Sequence, residues 1–191
     1  ITFGYDSLNR VVLRTDALGA SESWTYNAAN SVTRTVDRKA RATAHVYDAL
    51  QRLTLTTYAD NATVTRTYDA GNRLTQVVDS VSGTITRSYD LLDRLKQEQT
   101  PQGIMNYSYD AAGRRSSTQI GTGTATTYAY DVANRLTTIQ AGSETVSFAY
   151  DVADRRTLLT LPNGVTTQYV HDAAHQLSSL TYAKGSTTLG T

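Results

Sequence analysis

Large ring-bearing or cationic side chains alternate with small ones over short runs of this chain, and each run ends in an aromatic residue followed by Asp or Asn. Trp24-Thr25-Tyr26, Arg66-Thr67-Tyr68, Arg87-Ser88-Tyr89 and Tyr107-Ser108-Tyr109 show the pattern. A period of two predicts half-buried β-strands, with one face carrying rings and guanidinium groups and the other carrying hydroxyls. The aromatic–Asp/Asn pairs begin at Tyr5, Tyr26, Tyr47, Tyr68, Tyr89, Tyr109, Tyr130, Tyr150 and His171, always 20 or 21 residues apart. So regular a beat marks one supersecondary unit repeated in tandem.

One unit reads as strand, turn, strand, turn. From Tyr89 the chain passes through Asp90-Leu91-Leu92-Asp93, runs extended to Gln99, turns at Thr100-Pro101-Gln102-Gly103 and returns as a strand to Tyr109. Asp opens the first turn in every unit but one, where Asn27 stands. Its side chain can accept backbone N–H bonds two residues on. The fourth turn position is Asn9, Asn30, Gln51, Asn72, Asp93, Gly113, Asn134, Asp154 or His175. Most of these tolerate a left-handed backbone, which predicts a type I turn closed by a left-handed residue. Arg follows, except at Ser31 and Gln176, placed to pair with the Asp across the turn and to pack its stem on a Tyr ring. The second turn varies from unit to unit, with Gly, Asn and Pro prominent. One edge of the array is thus uniform and the other variable, and variable loops are where binding differences would lie.

The residues two before each pair are Phe3, Trp24, His45, Arg66, Arg87, Tyr107, Tyr128, Phe148 and Tyr169; they share a face with the Tyr and should form a ladder. Two Phe, one Trp and one Met are too few for a sandwich core. The fold class expected is all-β: tandem antiparallel β-hairpin repeats of about 21 residues forming a long, curled or spiralling sheet. Nine repeats imply roughly 18 strands, extending roughly 85 Å at about 4.8 Å per strand.

Composition narrows the function classes. Net charge is +1, which gives no electrostatic footprint for nucleic acid, and no apolar run is long enough for a helical membrane span. Cysteine is absent, so neither disulfides nor thiolate metal sites form in this chain. His171 and His175 flank Asp172 at metal-ligand spacing for a helix, but they fall on repeat positions of a turn. Gly121-Thr122-Gly123 lacks the strand-to-helix context of a phosphate loop. The basic Arg38-Lys39-Ala40-Arg41 stretch reads as a solvated turn. Asp residues spread one per repeat do not make a glycosidase pair. No catalytic, cofactor-binding or metal residues are assigned.

The pattern Tyr68-Asp69-Ala70-Gly71-Asn72-Arg73-Leu74, with Tyr109-Asp110-Ala111-Ala112-Gly113-Arg114 and Tyr130-Asp131-Val132-Ala133-Asn134-Arg135-Leu136, resembles the RHS or YD repeat, and the resemblance covers the whole chain. That family includes bacterial Rhs polymorphic toxins, the C components of insecticidal toxin complexes, and teneurins. The resemblance implies hairpins wound in a spiral strip around a hollow shell, which in bacterial toxins encloses a toxic domain. The Asp-Pro-x-Gly-Leu cap of such toxins is missing here, and the chain is read as a single array over 1–191, nine repeats cut at both ends. The structural motif comprises Tyr5, Asp6, Arg10, Tyr26, Tyr47, Asp48, Arg52, Tyr68, Asp69, Arg73, Tyr89, Asp90, Arg94, Tyr109, Asp110, Arg114, Tyr130, Asp131, Arg135, Tyr150, Asp151 and Arg155. The function implied is a non-enzymatic shell segment of a secreted or cell-surface protein, its partners being neighbouring repeats and an enclosed effector. The alternative is an extracellular adhesive or filament-forming protein that binds glycans.

Overall fold

The computed structural model describes residues 1–191, which form 19 β-strands and no helix. The chain divides into two compact units, residues 1–102 and 103–191. The first holds β1 (Thr2–Tyr5), β2 (Val11–Thr15), β3 (Ser21–Tyr26), β4 (Val32–Val36), β5 (Ala42–Tyr47), β6 (Leu53–Thr57), β7 (Thr63–Tyr68), β8 (Leu74–Asp79), β9 (Gly83–Tyr89) and β10 (Leu95–Thr100). The second holds β11 (Gly103–Tyr109), β12 (Arg115–Ile120), β13 (Thr126–Tyr130), β14 (Leu136–Ala141), β15 (Glu144–Tyr150), β16 (Arg156–Thr160), β17 (Val165–His171), β18 (Leu177–Lys184) and β19 (Thr187–Gly190). Within each unit every strand pairs antiparallel with the next in sequence. The all-β, tandem-hairpin expectation is borne out.

Turn chemistry sets the register of each hairpin. All nine fourth-position residues take positive φ, from 59° at Asn9 to 80° at Gly113. In every such turn the first residue's N–H reaches the carbonyl four residues on, as Asp6 to Arg10 at 3.0 Å, and its own carbonyl accepts from the left-handed residue, as Asn9 to Asp6 at 3.0 Å. A left-handed residue lengthens the outgoing side and produces a bulge. In β3–β4, Thr25 faces Arg34 but Tyr26 faces Val32, so Thr33 is left over. The same slip recurs in β5–β6, β7–β8, β13–β14 and β17–β18. Sequence patterning did not signal this bulge. At four of these bulges a hydroxyl stands at the extra position and donates to a carbonyl of the incoming strand: Thr33 to Thr25 at 3.2 Å, Thr54 to Val46 at 3.1 Å, Thr75 to Thr67 at 3.2 Å and Ser178 to Val170 at 3.0 Å.

Each unit is a single layer. Strands contact only their sequence neighbours, Val64 is the one buried hydrophobic residue, and Thr56 and Thr167 are the buried polar ones. The chain exposes 12312 Å², against about 8,900 Å² expected for a compact monomer of this mass. The sparse core read from composition is therefore real, and side chains cover one another along the sheet instead of across it. Beyond the exposed Phe3, the ring-bearing stripe is half-buried on one face, where Trp24 faces Thr35, Arg66 faces Val77, and Phe148 faces Leu159. The opposite face is more exposed and carries Thr25, Thr67, Ser88 and Ser108, as expected, but also Val46, Ala129, Ala149 and Val170.

Candidate functional site

The chemistry of the repeat motif concentrates at the uniform edge. In each complete motif the Asp carboxylate does three things. At Asp48, one oxygen accepts the backbone N–H of Leu50 at 2.9 Å and of Arg52 at 3.0 Å, and the other accepts Arg52 Nε at 2.7 Å. The same Asp–Arg pair recurs at Asp6–Arg10, Asp69–Arg73, Asp90–Arg94, Asp110–Arg114, Asp131–Arg135 and Asp151–Arg155. The expected pairing across the turn is thus present.

With its Nε held, the guanidinium projects onto the following hairpin of the same unit. Arg52 Nη1 donates to Asn72 Oδ1 at 2.7 Å and lies within 3.4 Å of the Asp69 carbonyl, while its carbon sits 4.7 Å from the centre of the Tyr68 ring. Arg10 treats Asn30 and Tyr26 in the same way, as Arg73 does Asp93 and Tyr89, Arg114 does Asn134 and Tyr130, and Arg135 does Asp154 and Tyr150. The Tyr hydroxyl closes the loop by donating back to the preceding hairpin: Tyr68 to the Leu53 carbonyl at 3.0 Å and Tyr89 to the Leu74 carbonyl at 2.8 Å. The motif is a latch between repeats. The Arg–Tyr packing foreseen from sequence exists, and its Tyr belongs to the following repeat. At Asn30, Asn72, Asp93, Asn134 and Asp154 the fourth turn residue serves twice, since its backbone makes the left-handed bend and its side chain receives the neighbour's Arg.

The exceptions keep the logic. Ser31 is too short to reach the following turn, and Gln51, longer than Asn, reaches back instead: its Oε1 accepts from Asn27 Nδ2 at 3.2 Å and from Ser31 Oγ at 3.1 Å. His175 stands at the acceptor position and its Nδ1 lies 3.1 Å from Arg155 Nη1. That contact uses the ring as a latch member, in line with its reading as a repeat residue.

The model of the teneurin YD-shell family matches residues 85–189, more than half of the chain, and that of the RHS repeat matches residues 47–85. The chain belongs to the YD-shell family. Its fold is similar to a crystal structure of TcdB2-TccC3-TEV, with a TM-score of 0.74 at 14% identity over 97% of this chain and 11% of that one. It is also similar to the Photorhabdus luminescens Tc holotoxin pore, with a TM-score of 0.60 at 16% identity over 98% of this chain and 13% of that one. A crystal structure of TcdB2-TccC3 gives a TM-score of 0.60 at 16% identity over 98% of this chain and 13% of that one. This YD-shell chain therefore spans only a small part of those chains' length. No curated protein matches it in sequence.

The electrostatics of the YD latch follow from its hydrogen bonds. At Asp6, Asp48, Asp131 and Asp151, the backbone N–H of the following Arg is the largest influence holding the carboxyl below the usual range, and at Asp69 it is the Arg73 side chain. These carboxylates are stabilised in their charged form by donors already in place. On the ladder face, Arg87 Nε pairs with Glu98 at 2.7 Å, Arg66 donates to Thr56 Oγ1 at 3.1 Å, and Arg156 stacks 5.0 Å from the centre of the Phe148 ring. The YD-shell ladder is thus knit by guanidinium groups as well as rings.

Proposed function

We propose that this chain is a non-catalytic wall segment of a β-shell, in a secreted or cell-surface protein, that encloses or displays another domain such as a toxin. On this reading residues 1–191 form one YD-repeat array, and the Tyr–Asp–Arg residues are structural latches with no catalytic role. The observation that carries the proposal is the latch: hairpins joined side to side by Arg and Tyr, with no second layer, make a sheet able to grow by adding repeats while both faces stay open. A single-layered wall of this kind suits containment. Membership of the YD-shell family and the likeness of fold to Tc toxin chains support the same reading. Electron microscopy of the native assembly tests it. A closed hollow particle is the expected result, and a continuous filament of stacked hairpins would overturn it.

A further inference from the structure

The second turns differ from one another, and the one between β16 and β17 satisfies its backbone in its own way. It runs Leu161-Pro162-Asn163-Gly164-Val165. Its backbone follows the uniform turns: the Leu161 N–H reaches the Val165 carbonyl at 2.8 Å, and the Leu161 carbonyl accepts from Gly164 at 2.9 Å. Gly164 takes φ 78°. In a uniform turn the opening Asp also accepts the N–H of the fifth residue, as Asp48 does from Arg52 at 3.0 Å. Leu161 has no side-chain oxygen to do this. The Val165 N–H goes instead to Asn163 Oδ1 at 3.1 Å. A carboxamide whose oxygen reaches the N–H two residues on folds its Cγ toward the intervening peptide nitrogen, which here belongs to Gly164.

We infer that Asn163 is a self-modifying site, at which the folded chain loses ammonia and becomes aspartyl and isoaspartyl. The Gly164 nitrogen gives up its proton to solvent base and attacks Asn163 Cγ. The N–Cγ bond forms, the Cγ–Nδ2 bond breaks, and Nδ2 leaves as ammonia with a proton from water. Water then opens the succinimide. Cleavage of the bond from nitrogen to Cγ restores the ordinary main chain with Asp. Cleavage of the bond from nitrogen to the Asn163 carbonyl carbon reroutes the main chain through the side chain. No oxidant or reductant takes part. Of eight asparagines, Asn163 alone is followed by glycine, so no neighbouring Cβ obstructs ring closure. Both residues are exposed, and a Cβ built on Gly164 would meet no atom within 4 Å, which leaves room for the imide and for water. The Val165 N–H stabilises the negative charge that gathers on Oδ1 as the nitrogen attacks. Asparagines of the latch are held differently. Asn72 and Asn134 each receive an Arg from the preceding repeat, and the peptide nitrogens after them, of Arg73 and Arg135, donate to Asp69 and Asp131. One bond opposes the step at Asn163. The Gly164 N–H must first leave the Leu161 carbonyl, so closure waits on local opening of the turn, and the folded chain reacts more slowly than the unfolded one. Either product adds a negative charge to the variable edge. The inference rests on this one turn and stands apart from the enclosing role proposed above.

The test is incubation of the full chain in mildly alkaline buffer, with and without urea. Peptide mapping then follows every asparagine, and enzymatic methylation marks isoaspartyl residues. In the folded chain Asn163 should convert before any other asparagine, its peptide gaining the mass that separates a hydroxyl from an amide group and accepting the methyl label. Urea should hasten the conversion. Leu161→Asp installs the cap of the uniform turns and draws the Val165 N–H away from Asn163. It should slow conversion in the folded chain about tenfold while leaving the rate in urea unchanged. Circular dichroism matching the parent chain shows that this variant folds, and the order of conversion among the asparagines needs no variant. The inference is overturned if Asn163 stays intact in the folded chain while converting in urea, if another asparagine converts first, or if Leu161→Asp leaves the folded rate undiminished.

Discussion

Arginine cannot be exchanged for lysine in the YD latch without loss, because one guanidinium makes three different contacts. Arg52 holds Asp48 through Nε, bonds Asn72 through Nη1 and sits over the Tyr68 ring. A Lys ammonium is a point charge and lacks both the fork and the plane. Arg52→Lys should therefore accelerate amide exchange at the β6–β7 junction about tenfold, nearly as much as Arg52→Ala; exchange mass spectrometry reads the difference. Ala40 presents the opposite case. It sits at φ 60° in the turn from 37 to 41, where Gly19 occupies the matching place one hairpin earlier. A Cβ in the left-handed region costs free energy that glycine avoids, so Ala40→Gly should stabilise the chain by about 0.5–1 kcal/mol in urea unfolding, even after glycine's larger unfolded-state entropy is counted.

Hairpins are joined by seams, and the seam between β4 and β5 is the odd one. Asn27 and Ser31 replace Asp and Arg there, and neutral bonds to Gln51 replace the ion pair and the ring stack. Installing the usual set with Asn27→Asp, Ser31→Arg and Gln51→Asn should raise amide protection in β5. A seam left unchanged by the triple swap would mean that the latch adds little to the backbone ladder. Acid should act on the ordinary seams. Their Asp carboxyls titrate below the usual range when folded, so their stabilisation is complete above about pH 4 and is lost as the pH falls through the lowered values. The protection factors of the Leu50 and Arg52 amides, which donate to Asp48, taken against the intrinsic exchange rate at each pH, should fall on acidification below about pH 4, while those of β-ladder amides respond later. The turn half of this element was legible in sequence, because Asp, a left-handed residue and Arg at fixed offsets have a local chemistry. The bulge and the destination of the Arg were not, because both depend on how strands from different repeats register.

With strands touching only their neighbours in sequence within each unit, stability accumulates as a series of nearest-neighbour terms. Deleting residues 1–20 should therefore leave the remaining strands folded. Exchange should quicken in β3, which loses its partner β2, and remain unchanged from β6 to β10. Loss of protection throughout would show instead that the hairpins fold as one cooperative block. The same one-dimensional logic explains why so little side chain is buried. Each repeat shields its neighbours along the sheet, and nothing else in its own unit lies above or below it.

Period, strand and turn were written in the residues, since a beat of 20 or 21 and a left-handed fourth position are local properties of backbone and side chain. The contacts that join one hairpin to another could not be read in the same way. Arg52 and Asn72 are 20 residues apart, and they meet only because the bulge and the ladder register carry their side chains to one edge.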